Sequence, residues 1–218
     1  MVEPPEPGLV RTPQRLLAAD EVMTGFGRTG RWFGVDHWGV RPDVVTVGKG
    51  STSGYFPFGF AACSGGLFET VRETGFVHGF TWSHNGVGAA VAHAALRRLT
   101  EDDLVDASAR RGERLLKSLS SALEDDPSVG DVRGVGLMVG IELVADRASR
   151  TPFARELRAT ERVLAAARDA GLLLYSSTGH VEGDGDLVML GPPFSITDAE
   201  CDLIVERTAA AIASLRTE

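Results

Sequence analysis

Pro42-Asp43-Val44-Val45-Thr46-Val47-Gly48-Lys49-Gly50 is the stretch on which the fold turns. Val44 to Val47 are β-branched throughout and suit a strand buried on both faces, the kind that parallel sheets covered by helices contain. Gly48-Lys49-Gly50 closes the strand and sets a lysine at its carboxyl end, between glycines that let another group approach the backbone. Open α/β sheets place ligands at that end, and a partly desolvated lysine amine suits Schiff-base chemistry. A surface-loop lysine is the plainer reading, and the strand-end position is what favours Lys49 as a site residue. A phosphate loop fails here, because G-x-x-x-x-G-K-[ST] needs a glycine where Asp43 stands and a hydroxyl where Gly50 stands.

Upstream, Leu16-Leu17-Ala18-Ala19 reads as a second buried strand ending in Asp20-Glu21. Adjacent residues on a strand point to opposite faces, so these two acids are no catalytic pair. Asp20 and Val22 share a face, and an acid beside a β-branched apolar group suits a flat heteroaromatic ring: the carboxylate meets a ring nitrogen and the valine packs on the ring face. The plainer role for Asp20 is a strand-end cap. Gly25-Phe26-Gly27-Arg28-Thr29-Gly30 matches G-x-G-x-x-G, but a dinucleotide site needs the last glycine to enter a helix, and Arg31 to Pro42 is poor helix material. The proline-rich first eight residues start as extended backbone. Downstream, Phe58 to Cys63 is a plausible third strand. Thr81-Trp82-Ser83-His84-Asn85 then places hydroxyls and an amide ahead of a helical run from Gly86 to Leu99, an N-cap first and an anion site second.

From Thr100 the pattern becomes α+β, which divides the chain into residues 1–100 and 101–218. Thr100-Glu101-Asp102-Asp103 resembles a helix start, with Leu104, Val105, Leu115, Leu116, Leu119 and Leu123 as the apolar face. Val135 to Val144 predicts one long strand or a strand pair around Gly136 and Gly140. Thr151-Pro152 predicts a helix start and Gly171 its end. Leu172 to Tyr175 and Leu187 to Leu190 read as strands. Thr197-Asp198-Ala199-Glu200 is a capping box opening the last helix, with Ile196 and Cys201 placed as a hydrophobic staple.

The chain has 218 residues, 43% hydrophobic and 24% charged, which excludes disorder for most of it. A formal charge of −8, without a basic cluster, argues against nucleic acid as a partner. Cys63 and Cys201 are too few for a disulfide framework, and with no long apolar run and no signal-peptide pattern the expected location is cytoplasmic, away from membranes. The histidines lack ligand spacing, so no metal is expected, and no G-x-S-x-G elbow is present.

Leu17 to Gly30 around Asp20-Glu21-Val22 resembles the Asp-Glu-Val segment of the class III aminotransferases, pyridoxal-phosphate enzymes of fold type I. Pro42 to Gly50 resembles their Schiff-base lysine segment, and His78-Gly79-Phe80-Thr81-Trp82 is similar to their His-Gly-x-Thr-Tyr stretch. Gly136-Leu137 to Glu142-Leu143 and Pro192-Pro193-Phe194-Ser195-Ile196-Thr197 resemble their small-domain landmarks. The resemblance implies an α/β, fold type I architecture: residues 1–100 as the carboxyl-terminal part of a truncated large domain and 101–218 as an α+β small domain. It implies pyridoxal 5'-phosphate as cofactor, Lys49 as the catalytic Schiff-base lysine and proton carrier, Asp20 on the pyridine nitrogen and Val22 on the ring. Thr81 would bind the phosphate of a neighbouring subunit's cofactor, hence a homodimer.

The activity implied is transfer of an amino group from an amine or amino acid to a 2-oxo acid. The alternatives are a same-fold aminomutase or decarboxylase, or a non-catalytic fragment. The sequence also departs from the family. Its members are much longer, and the phosphate cup, the residue stacking on the other ring face and much of the large domain's sheet have no counterpart upstream. The interval between Glu3-Pro4 and the Asp-Glu-Val strand is shortened. Tyr175 to His180, ahead of Gly185-Asp186, lacks the arginine that many relatives use for a substrate carboxylate. The chain alone is therefore expected to bind the cofactor poorly.

Overall fold

The computed structural model describes residues 15–181 and 183–216, so the extended start expected for the first eight residues, with Glu3-Pro4, lies outside the described residues. The chain forms two compact units, Met1–Val105 and Asp106–Glu218.

In the first unit, β1 (Ala18–Asp20), β2 (Val44–Val47) and β3 (Phe60–Cys63) form a sheet in that order. β1 runs parallel to β2, pairing Asp20 with Thr46, and β3 runs antiparallel to β2, pairing Phe60 with Val47. Asp43 sets the register of the parallel pair: its carboxylate accepts the Leu17 amide at 2.9 Å while its own amide donates to the Leu17 carbonyl at 2.8 Å. The strands are less covered than their composition predicts. Only Val47 is buried, and all of β3 is exposed, because apolar residues make a strand fit for burial without supplying the layers that bury it. Two helices follow, α1 (Gly65–Thr74) and α2 (Gly86–Glu101). α2 is capped by the Asn85 side chain, which accepts the Gly88 amide at 2.9 Å.

Thr100 and Glu101 belong to the end of α2, which corrects the helix start expected there. Arginines one turn earlier face the first two acids, Arg97 against Glu101 and Arg98 against Asp102, so Glu101 ends α2, Asp102 caps it and Asp103 stands between the two helices. The next helix, α3, begins at Leu104 and ends at Ala122, after Asp103 takes a positive φ of 49°.

The second unit adds β4 (Val129–Val135), β5 (Met138–Leu143), α4 (Ala159–Asp169), β6 (Tyr175–Val181), β7 (Asp184–Leu190) and α5 (Asp198–Ala213). Its sheet is antiparallel throughout, in the order β4-β5-β7-β6. β5 and β7 alternate strictly, sending Val139, Ile141, Leu143, Val188 and Leu190 into a core shared with Leu115, Leu119, Leu123, Val163 and Ile212. The Thr197 capping box forms in full, and Ile196 and Cys201 are both buried beside it. Two boundaries differ from expectation. α4 starts at Ala159, not at Thr151-Pro152, because the Thr151 backbone is committed to a bridge with Asp146. Leu172 to Leu174 precede β6 and lie outside it.

Gly112 on α3 lies against the turn that joins β4 to β5. A Cβ there would sit 2.1 Å from both the carbonyl carbon and oxygen of Gly136. Alanine gains about 1 kcal/mol of helix propensity over glycine, but overpacking costs about 1–3 kcal/mol, and so close an approach to main chain belongs at the upper end. Gly112→Ala is therefore expected to lower stability by about 2 kcal/mol, the clash outweighing the propensity gain, as read from the midpoint of urea unfolding.

Candidate functional site

The parallel pairing of β1 with β2 brings two carboxyl ends together. Asp20 ends β1 beside Thr46, and the Glu21 amide extends the ladder by donating to the Thr46 carbonyl at 2.9 Å. Beyond Thr46 the chain passes Gly48 and turns into the short 3-10 segment Lys49–Thr52. Lys49 opens that segment with φ of 33°, a left-handed conformation that costs energy for any residue with a side chain. Strain of this kind persists only where the surroundings hold it, and the neighbouring hydroxyls do. Ser51 and Thr52 are buried, and the Thr52 hydroxyl donates to the Phe56 carbonyl at 2.7 Å.

After β1 the chain reverses within one turn, the Gly25 amide donating to the Glu21 carbonyl at 2.9 Å. The reversal aims Val22 and Met23 across at the second strand end. The Val22 methyls lie 3.6 and 3.8 Å from where a Cβ on Gly48 would stand, and the Lys49 amine lies 2.7 Å from the Met23 sulfur. A thioether is a weak acceptor, and among the described residues the amine has no carboxylate partner. Asp20 is exposed, and one of its oxygens accepts the Val22 amide at 3.0 Å. Asp20, Val22 and Lys49 thus converge at one end of the parallel pair.

Thr81 stands in the turn ahead of Asn85 and α2, exposed, and its hydroxyl makes no hydrogen bond among the described residues. The helix cap itself belongs to Asn85. Two buried features escaped the sequence reading: Glu21, and the Ser51–Thr52 hydroxyl pair. The signal for Glu21 was its place opposite Asp20, directly ahead of a glycine-rich loop whose amides need an acceptor. Among the described residues no cluster of histidine, cysteine or acids could hold a metal ion, and no helix is long and apolar enough to cross a membrane.

Residues 8–212 match the family described as Aminotransferase class-III. A relative from Bacillus subtilis, named Uncharacterized aminotransferase YodT, is 36% identical over 208 residues, which cover 94% of this chain and 47% of that protein. The chain thus spans about half the length of the curated relatives it matches. A solved transaminase from the marine bacterium Virgibacillus superposes with a TM-score of 0.88 at 38% identity, over 93% of this chain and 46% of that one. The omega transaminase from Pseudomonas jessenii, solved in complex with PMP, gives a TM-score of 0.84 at 33% identity, over 93% and 44% of the two chains. With the family match running through both units and the backbone superposing on solved transaminases over nearly all of its length, the chain belongs to the class III aminotransferases, of fold type I.

Proposed function

We propose that residues 15–216 carry the Schiff-base lysine and the small domain of a pyridoxal 5'-phosphate-dependent transaminase, which moves an amino group from an amine or amino acid to a 2-oxo acid. The observation that carries this reading is the convergence of Asp20, Val22 and Lys49 at the shared end of β1 and β2. The donor set fits the cofactor's ring: an exposed acid for the nitrogen, an apolar group for one face, and an amine without a carboxylate partner for the aldehyde.

When bound, pyridoxal 5'-phosphate offers an aldehyde to amines and a ring that accepts the electron pair left when a substrate Cα loses its proton. Lys49 would hold the aldehyde between turnovers and carry the proton at Cα. Asp20 would keep the ring nitrogen protonated, and Val22 would fix the ring plane. Thr81, with its unengaged hydroxyl, would bind the phosphate across a homodimer, and the enzyme would work in the cytoplasm.

Coverage of under half of each relative favours a second reading, in which these residues act only together with the remainder of the fold. The test is a half-reaction of the cofactor-loaded protein with an amine donor, followed by absorbance. Transamination leaves the aminated cofactor and releases an oxo product in equal amounts. Carbon dioxide release would mark a decarboxylase, and an amino group returned to the same carbon skeleton would mark an aminomutase.

Thr81→Ala is expected to weaken cofactor binding by about 1–3 kcal/mol, the cost of an unmet hydrogen bond, with less effect on turnover at saturating cofactor. Mixing these subunits with Lys49→Ala subunits gives one site damaged twice and one intact if Thr81 acts across the interface. Activity recovered on mixing is the expected result, and no recovery would assign Thr81 to its own subunit.

A further inference from the structure

Glu21 is only 2% exposed, and both of its side-chain oxygens are engaged. One accepts the Val35 amide at 2.9 Å. The other accepts the Gly34 amide at 2.8 Å and the Thr24 hydroxyl at 2.5 Å. Its backbone is tied as firmly, to Thr46 on one side and Gly25 on the other. Glu21 therefore joins three things: the end of β1, the one-turn reversal that carries Val22 and Met23, and the far end of the glycine-rich loop. The joint is close-fitting, since a Cβ on Gly34 would stand 3.0 Å from the Thr24 Cβ and 3.3 Å from the Glu21 carboxylate. Asp20 and Val22, on either side of Glu21 in sequence, have no comparable anchor. Beyond its place in the β1–β2 ladder, the Asp20 carboxylate is held, among the described residues, through the Val22 amide, and the Val22 methyls lie 3.6 and 3.8 Å from where a Cβ on Gly48 would stand.

We propose that Glu21 is a positioning residue: by clamping Thr24, Gly34 and Val35 it fixes the reversal that presents Asp20 and Val22 to the cofactor ring, without touching the ring itself. The proposal rests on the reading of Asp20, Val22 and Lys49 as the cofactor site. The acceptor geometry makes a specific demand. Both oxygens face backbone N–H donors, so an amide in either orientation sets its NH2 against one of them. Glu21→Gln, although the same size, is therefore a disruptive change, and a shift of the reversal by about 1 Å reaches Asp20 directly. Misplacement on that scale costs about 10²-fold in rate.

The experiment uses the active, cofactor-loaded enzyme with Asp20→Asn, Glu21→Gln and the double variant. It reads the nitrogen-15 NMR shift of the ring nitrogen in labelled pyridoxal phosphate alongside the turnover number. In Glu21→Gln the ring-nitrogen signal is expected to move toward its position in Asp20→Asn, with turnover down by about 10²-fold. The double variant is expected to match Asp20→Asn alone, because the two residues act through one contact. Effects that multiply in the double variant, or a Glu21→Gln enzyme with lowered unfolding temperature but wild-type ring signal and turnover, would overturn the proposal. If Glu21→Gln does not fold, Thr24→Val removes one of the three donors, and the same signal is expected to move the same way by less; no movement there overturns the proposal too. An Asp20→Asn enzyme with unchanged ring signal and turnover would defeat the site reading itself, whereas an effect at Asp20 with silence at Glu21 defeats only the role given to Glu21.

Discussion

Exchange of Lys49 for alanine in the active enzyme is expected to abolish transamination and the borohydride-trapped link between cofactor and chain. On the proposed reading, the change removes both the amine that would hold the aldehyde and the base that would move the Cα proton. General acid–base catalysis alone contributes about 10²–10⁴-fold, so with the covalent role lost as well the residual rate should fall by about 10⁴-fold or more. Within residues 1–218 the other lysine is Lys117, exposed on α3. Peptide mass mapping after borohydride reduction should find the adduct on Lys49. An adduct that persists in Lys49→Ala and maps to Lys117 would show that the wrong amine has been chosen.

Asp20→Asn should retain some cofactor and slow Cα deprotonation by about 10²–10³-fold, the usual cost of removing one fixed electrostatic partner from a reacting centre. A neutral amide is a poor partner for a protonated ring nitrogen, so the ring accepts the Cα electron pair less readily. A donor deuterated at Cα, followed by rapid mixing, makes the slowed step visible as an enlarged isotope effect. Wild-type turnover in the variant would remove Asp20 from the mechanism.

The elements that were legible in the sequence are those whose cause is local. Val44 to Val47 can hardly be anything but a strand, and Thr197 with Glu200 carries its own capping hydrogen bonds, so both appear where the pattern puts them. The acids at 101–103 misled because Arg97 and Arg98, the partners of Glu101 and Asp102, lie upstream and make these charges suit a helix end. Thr151-Pro152 misled because a bridge to Asp146 outweighs a local helix signal. Asp20 and Lys49 were each legible as strand-end residues, and it was the resemblance to the family, not a local pattern, that joined them with Val22 into one expected site. The burial of Glu21 did not follow from any local pattern, since two of its donors stand 13 and 14 residues away in sequence and meet it only through the tertiary fold.

The close approach of Gly112 to Gly136 limits how this chain can drift. Most crowded positions can be relieved by a second change, a large neighbour traded for a small one. Here the obstacle is the carbonyl of Gly136, which is main chain and is common to every possible sequence. No substitution elsewhere can trim it away. A lineage that acquires a side chain at 112 must move α3 off the hairpin turn as a whole, and with it the Leu115 and Leu119 side chains that fill the core. Position 112 is thus a one-letter address in sequence space, where every single step costs stability and relief needs a concerted rebuilding of the helix and the hairpin together.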